Sequence, residues 1–449
     1  MRYDVIVIGG GTAGCSAAYM SAKLGLKTLL IERGMHLGGT MTSGLVIPVM
    51  KSGEHQINTD FYKILIAEMA KVGGQVTYQD NPGWFNPELM KIVLDKMMRD
   101  VGVEVRFHAE AMDIRVTKNK ILSLEVNKEI LSVYNEEVDT DNNSIEKYKP
   151  LSVYIEANYF VDATGNCDFA NKINCKFLEM KSEYQPMSLR FMMSGIDIEK
   201  FGKWLLSVDN DRNTTTVETI DNTTHLSTAY TWDTDKHWAL APYFEDAIRK
   251  NILKDTDSNY FQVFTVAGMP TTVAFNCPRI PENLNPNLVK DTTKALIQGR
   301  ESILRLANFC KIYFPGFENA YISNIADFLG IRVSNRIKGK YVYTIDDLKS
   351  GRVFEHPALV SNYPVDVHNK KKNTSTLEKT GEYQLPIESL MSYDYDNLFV
   401  VGRGISADYM AQGALRVQAS CFSMGEAVAK YVAEQLSSKV STSSYKEYP

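Results

Sequence analysis

Gly9-Gly10-Gly11-Thr12-Ala13-Gly14 constrains this chain more than any other segment. It follows the apolar run Asp4-Val5-Ile6-Val7-Ile8 and opens a stretch of small and apolar residues closed by Gly25. Lys27-Thr28-Leu29-Leu30-Ile31-Glu32-Arg33 comes next. A short apolar run bounded by glycine fits a buried parallel strand, and strand, helix and strand within about 30 residues make one βαβ unit. In the G-x-G-x-x-G pattern Gly9 permits the tight turn, Gly11 lets backbone approach a pyrophosphate, and Gly14 lets helix pack on strand. Thr12 and Ala13 begin the helix, whose N-terminal amides face the phosphates. Glu32 ends the second strand, where it can accept from ribose hydroxyls. A Gly-rich turn in another α/β fold is the competing reading. The preceding strand, the following helix and Glu32 argue against it.

The motif alone does not separate one dinucleotide from another, but three later segments do. Arg33-Gly34 leads into Leu37-Gly38-Gly39-Thr40-Met41-Thr42-Ser43-Gly44, a small polar loop suited to passing a pyrophosphate and a ribityl chain. A nicotinamide domain would continue into another helix and strand. Phe160-Val161-Asp162-Ala163-Thr164-Gly165 is a strand ending in a small turn that lets backbone approach the dinucleotide from its second side. Val401-Gly402-Arg403-Gly404-Ile405-Ser406-Ala407 spells G-x-G-x-x-A after a strand, which invites a second nucleotide motif. Met410, Gln412 and Gly413 interrupt the helix that such a motif requires. A strand at 397–401, a loop at 402–412 and a helix over 413–435 fit better. That helix would aim its amides at a flavin pyrimidine ring and favour negative charge there on reduction. Gly402 and Ala414 lie in this cofactor-binding segment, and FAD is the expected cofactor.

Composition removes other classes. The 449 residues are 44% hydrophobic and 23% charged, with a net charge of −5. With no long Lys/Arg run, neither nucleic acid nor an anionic membrane is an expected partner. The six cysteines, Cys15, Cys167, Cys175, Cys277, Cys310 and Cys421, form no C-x-x-C pair. That removes iron–sulfur and zinc spacing and the redox dithiol of a disulfide reductase, so no metal is expected. MRYDVIVIGG enters a strand directly, without the basic and apolar regions of a signal peptide. No apolar run reaches membrane-spanning length. A soluble cytoplasmic protein is expected.

Helical spacing covers 58–72, and Asn86-Pro87 caps another helix running to Arg99. Residues 103–133 and 151–163 read as strands, with the polar excursion YNEEVDTDNNSIEKYKP between them on the surface. Residues 186–280 alternate strand-like stretches and hold Trp204, Trp232 and Trp238. A long amphipathic helix is expected at 288–313. The predicted fold class is α/β, a Rossmann-like FAD-binding domain of the glutathione-reductase type. It is discontinuous over 1–175 and 320–449, with an α+β substrate domain inserted at 176–319.

The chain resembles the bacterial FAD-dependent oxidoreductases related at a distance to the fumarate reductase and succinate dehydrogenase flavoproteins. The resemblance covers nearly the whole chain. It rests on GGGTAG with Glu32, LGGTMTSGLV, FNPELMKIVLDKMM, DATG with Asp168, PGFENAYI, FLGIRVSNRIKG, YPVDVH and GRGISADYMAQGALRVQASCFSMGEA. It implies that Gly9, Gly11, Gly14, Glu32, Arg33, Thr40, Thr42, Gly165, Asp168, Arg403 and Leu415-Arg416 lie near FAD; Gly39, Met41, Ala163 and Thr164 join them from the same loops. Two departures stand out. Asn166 and Cys167 replace the usual acidic residue and glycine, and Arg332-Val333-Ser334 replaces Arg-Glu-Ser. The 40–44 loop has no histidine for a covalent flavin bond, so non-covalent FAD is expected.

A flavin supplies redox chemistry, and the protein must hold the substrate and place a proton. Arg332, Arg336 and His368 are the catalytic candidates, with Asp366 beside them. Arginine can bind a carboxylate bidentately, and histidine passes protons near neutral pH. Interdomain salt bridges and a turn histidine are the bland alternatives. His225, His237 and Arg279 are weaker candidates, while His36, His55 and His108 read as structural. The expected function is hydride transfer between FAD and a small organic substrate. A flavin monooxygenase or halogenase is ranked lower, because that class carries Gly-Asp where Gly402-Arg403 stands. An electron-relay subunit serving a partner donor or acceptor is the non-enzymatic alternative.

Overall fold

The computed structural model describes residues 2–53, 55–126, 154–179, 184–229, 238–280, 283–368, 375–378 and 380–443. The predicted surface excursion at 134–150, Trp232 and His237 lie outside the described residues, as does the side chain of His368.

The apolar run after Met1 forms strand Arg2–Ile8, and Thr28–Ile31 lies parallel beside it with Ile8 opposite Ile31. Helix Thr12–Lys23 connects them. Tyr154–Asp162 pairs with the other edge of Arg2–Ile8, also parallel, with Ile8 opposite Asp162. Its far edge is divided. Ile121–Val126 pairs antiparallel with its first half, and Leu398–Val400 pairs parallel with its second half. Glu104–Arg106 and Ala111–Val116 close the two edges of this seven-stranded sheet. The parallel strands bring Ile8, Ile31, Asp162 and Val400 to one rim. In such sheets ligands bind beyond the carboxyl ends of the strands.

Helix Gln418–Ser443 lies against helix Thr12–Lys23, and here the two ends of the chain meet. A Cβ on Gly425 would stand 2.4 Å from the Ala13 carbonyl oxygen and 2.7 Å from the Ala17 nitrogen. Ser16 Oγ donates to the Phe422 carbonyl oxygen at 2.7 Å. Beneath the glycine turn a Cβ on Gly14 would lie 1.8 Å from the Gly9 carbonyl oxygen. Both contacts bring backbone against backbone, which any side chain would prevent.

A second, antiparallel sheet has six strands. Thr215–Ile220, Thr223–Ala229, Gln262–Val266, Met269–Phe275, Phe191–Ser194 and Tyr321–Ile325 lie side by side in that order. It extends past residue 319, because Tyr321–Ile325 pairs with Phe191–Ser194. Helix Val289–Tyr313 lies beside it, where a Cβ on Gly299 would meet Leu189 at 3.0 Å and Ile280 at 3.4 Å. Phe191 stacks on Phe275 at 4.3 Å, and Phe244 meets Phe309 at 4.3 Å. One apolar core runs from the parallel sheet into the second.

Three expectations change at the C-terminal end. The 402–412 segment is not all loop, since Tyr409–Leu415 is helical. Asp408 caps it, accepting from Ala411 N at 2.8 Å. Gly413 does not break this helix. It lets the helix approach strand Val365–His368, where a Cβ would meet Val367 at 2.9 Å. The long final helix starts at Gln418, after a break at Arg416-Val417.

Replacing Gly425 by alanine is expected to cost about 1–3 kcal/mol, as overpacking does. Replacement by leucine is expected to prevent folding. Chemical denaturation of both variants checks this.

Candidate active site

A cavity of about 1470 Å³ opens at the carboxyl rim of the parallel sheet and continues to the second sheet. Gly9, Gly11, Thr12 and Ala13 line it, as the glycine motif predicts. Helix Thr12–Lys23 begins at Gly11, which offers no side-chain cap. A Cβ on Gly11 would meet nothing nearer than Gly39 Cα at 4.0 Å, so backbone faces open space there. Glu32 lines the same wall and accepts from Gly10 N and Gly34 N, each at 2.6 Å. Arg33, Gly39, Thr40, Ala163, Thr164, Gly165, Asp168, Gly402, Arg403 and Arg416 also reach the cavity. Arg33 Nη1 stands 3.5 Å from Asp168.

The Ala163-Thr164-Gly165 turn is shaped by Asp162, a residue that was not among the candidates. Its carboxylate accepts from Thr164 N at 3.0 Å, Thr164 Oγ1 at 2.6 Å and Ala170 N at 2.9 Å. Full burial pushes its carboxyl upward, and these donors oppose the shift. Arg403 lies over the turn and donates to Asn166 Oδ1 at 2.7 Å. Asn166 therefore has a use that the expected acidic residue would also serve. Gln412 Nε2 donates to the carbonyl oxygens of Arg332 and Arg403 at 3.1 and 3.2 Å, tying two cavity loops together.

Several predicted residues stay behind the wall. Gly14 packs under the turn, and Met41 is fully buried. Thr42 donates to the Leu37 carbonyl oxygen at 2.6 Å. Ala414 and Leu415 are buried within the short helix. Arg336 is corrected more sharply. Its guanidinium donates to the carbonyl oxygens of Ala407 at 2.6 Å and Glu179 at 3.2 Å, so it holds loops together and does not line the cavity. His225 is buried beside Thr265 and Tyr78, away from the cavity. His36 departs from its structural assignment, because it lines the cavity with Nε2 at 2.5 Å from Ser43 Oγ.

Arg332 lines the far end, donating to the Pro186 carbonyl oxygen at 2.6 Å. Arg416 donates to the Asp366 carbonyl oxygen at 2.7 Å and stands 3.4 Å from its carboxylate. The second sheet supplies Arg190, Tyr260, Gln262 and Asn276 to the same end. Arg279 lies behind them, 4.2 Å over the Tyr260 ring. No sequence motif marks these residues, which stand at the ends of strands Phe191–Ser194, Gln262–Val266 and Met269–Phe275. Burial lowers the Arg190 guanidinium to about 10. Arg332 is also held well below the usual guanidinium range, by burial first and then by Arg279, Arg416 and Arg190. Arg403 Nε, Arg416 Nε and Gln418 Oε1 are buried without a hydrogen-bond partner among the described residues. Buried polar atoms rarely remain so without a ligand or water. Open glycine backbone, an uncapped helix start and these orphaned atoms together fit a dinucleotide. Among the described residues no group of histidine, cysteine and acidic side chains could hold a metal, and no helix is long and apolar enough to cross a membrane.

Comparison with known proteins agrees with this geometry. Residues 4–444 match the family described as FAD dependent oxidoreductase, and the chain belongs to that family. It is 27% identical over 135 residues to digeranylgeranylglycerophospholipid reductase of Methanococcus vannielii, covering 29% of this chain and 33% of that one. It is 36% identical over 76 residues to the tRNA uridine 5-carboxymethylaminomethyl modification enzyme of Protochlamydia amoebophila, covering 17% and 11%. The chain thus spans a third or less of the length of these two relatives. A geranylgeranyl bacteriochlorophyll reductase-like structure from Thermoplasma acidophilum aligns with 98% of this chain and 79% of its own, at 14% identity and a TM-score of 0.44.

Glu32→Ala leaves the Gly10 and Gly34 amides without their carboxylate acceptor. Bonds to charged groups contribute about 1.5–3 kcal/mol. FAD affinity is expected to fall by about ten- to hundredfold, read by titrating apoprotein with FAD.

Proposed function

We propose that this family member oxidises or reduces a small organic molecule by hydride exchange with the flavin of FAD, the substrate lying between the dinucleotide loops and the second sheet. The continuity of the cavity carries this reading. Gly11, Arg416 and Gln418 share one space with Arg190, Tyr260 and Arg332. Sites for one drug-sized ligand usually enclose about 300–1,000 Å³. The larger volume here suits a dinucleotide together with a second molecule.

Gly11, Thr12 and the first turn of helix Thr12–Lys23 would hold the diphosphate, and Glu32 the adenosine ribose. Arg403 and the Ala163-Thr164-Gly165 turn would close the second side. The start of helix Gln418–Ser443 would lie at the ring, where its dipole favours negative charge. Bound FAD supplies a two-electron donor or acceptor. The chain's own residues do the remaining work. Arg332 and Arg416 orient the substrate. Tyr260, its phenol pushed upward by burial, keeps a proton at Oη and donates to Gln262 Oε1 at 3.0 Å. Phe328 and Leu329 add apolar wall that restricts water.

With no histidine in the 39–44 loop, FAD would be held without a covalent bond. Heat denaturation is expected to release all yellow colour into the supernatant, and flavin remaining on the precipitated chain would contradict this.

The hydride reading is tested by mixing the purified yellow protein anaerobically with NADH, NADPH and a panel of organic substrates while following the visible flavin band. Bleaching by at least one of them is expected. Inertness to all of them would favour a relay subunit, and oxygen-dependent hydroxylation of a substrate would favour a monooxygenase.

A further inference from the structure

The cavity carries two separate basic groups. Arg33 and Arg403 flank the Ala163-Thr164-Gly165 turn with Asp168, at the dinucleotide end. Arg190, Arg332 and Arg416 stand at the other end, backed by Arg279 on the Tyr260 ring. The second group acts on itself. Arg332 feels Arg279, Arg416 and Arg190, and the Asp366 carboxylate acts against their effect on it. Two members come from the second sheet's side of the cavity, so the FAD diphosphate at the glycine turn does not explain them.

Arg190 is the decisive residue. Its side chain faces the cavity, yet the guanidinium makes no hydrogen bond or ion pair among the described residues, and its Nε is buried. Ser188 Oγ beside it is also buried without a hydrogen-bond partner. Gly330 keeps the wall open between them, since a Cβ there would lie 2.9 Å from Ser188 Oγ and 3.4 Å from Arg190 Nη1. A buried guanidinium without a partner is unfavourable unless something else pairs with it. Its planar fork matches carboxylate and phosphate oxygens.

We infer that Arg190, Arg332 and Arg416, with Ser188, form the binding site for a small organic acid carrying two anionic oxygen groups, and that this anion is the substrate. The inference rests on the proposed function, which places the substrate at this end of the cavity. The shared chemistry is a pair of anionic oxygen groups, which a dicarboxylate or a phosphorylated small acid can supply. Arg190 and Ser188 receive one group from the side of the second sheet. Arg332 and Arg416 receive the other.

The test uses the FAD-loaded protein. Succinate, malonate and phosphoglycolate are titrated by calorimetry and by flavin difference spectra, with succinamide as the uncharged control. At least one of these anions is expected to bind ten times more tightly than succinamide and to raise the melting temperature. Whether it is a dicarboxylate or the phosphorylated acid identifies the source. Arg190→Met is expected to keep its flavin content, to raise the melting temperature of the ligand-free protein, and to lose at least tenfold in anion affinity. A purely structural arginine would instead lower the melting temperature on removal. The inference is overturned if the FAD-loaded protein binds none of the anions, or binds succinamide equally well. It is overturned too if Arg190→Met binds the anion as the parent does. Failure to take up FAD at all would overturn the proposed function instead.

Discussion

The backbone-to-backbone contact of helix Thr12–Lys23 with helix Gln418–Ser443 is the constraint on which the site depends. Gly425 rests on the Ala13 and Ala17 backbone, and Ser16 binds the Phe422 carbonyl oxygen. With two helices this close, their N-termini, Gly11-Thr12 and Arg416-Val417-Gln418, border the same cavity. Asp162 fixes the third wall from the strand between them, accepting from three donors at once. Interactions of this kind fix a site from buried, regular elements, and the exposed loops then add little positional freedom.

The other half of the cavity follows a different logic. Its cations are desolvated and repel one another, and one aspartate partly compensates them. Replacing such groups with packed apolar side chains is often neutral or stabilising, so stability alone does not account for them. The fold tolerates this because the surrounding core is large and continuous. Phe191 stacks on Phe275 within the second sheet, and Phe309 of the long helix packs on Phe244.

The dinucleotide half was legible in the sequence because its chemistry is local. Turn, helix start and acidic strand end follow one another within the first 32 residues. The adjacent Asn86-Pro87 pair likewise predicted a helix cap, and Asn86 Oδ1 accepts from Glu88 N and Leu89 N at 2.9 and 3.2 Å. Arg190, Tyr260 and Gln262 were not legible. They meet only when antiparallel strands far apart in the chain are laid side by side, and no spacing announces that. Arg336 misled for the opposite reason. It lies four residues from Arg332 in an extended segment, yet its guanidinium turns to the Ala407 carbonyl oxygen. The short helix after Asp408 escaped notice because Gly413 suggested a break, whereas its missing side chain allows close approach to Val367.

In the proposed arrangement one cavity receives FAD along the glycine turn and presents its ring to the arginine-lined end. A crystal structure of the yellow protein tests this most directly. Diphosphate density is expected at Gly11-Thr12 and the flavin ring at Arg416-Val417-Gln418, with its open face toward Arg190 and Arg332. A dinucleotide in the reverse orientation, or a ring that leaves those arginines on the far side of protein, would contradict it.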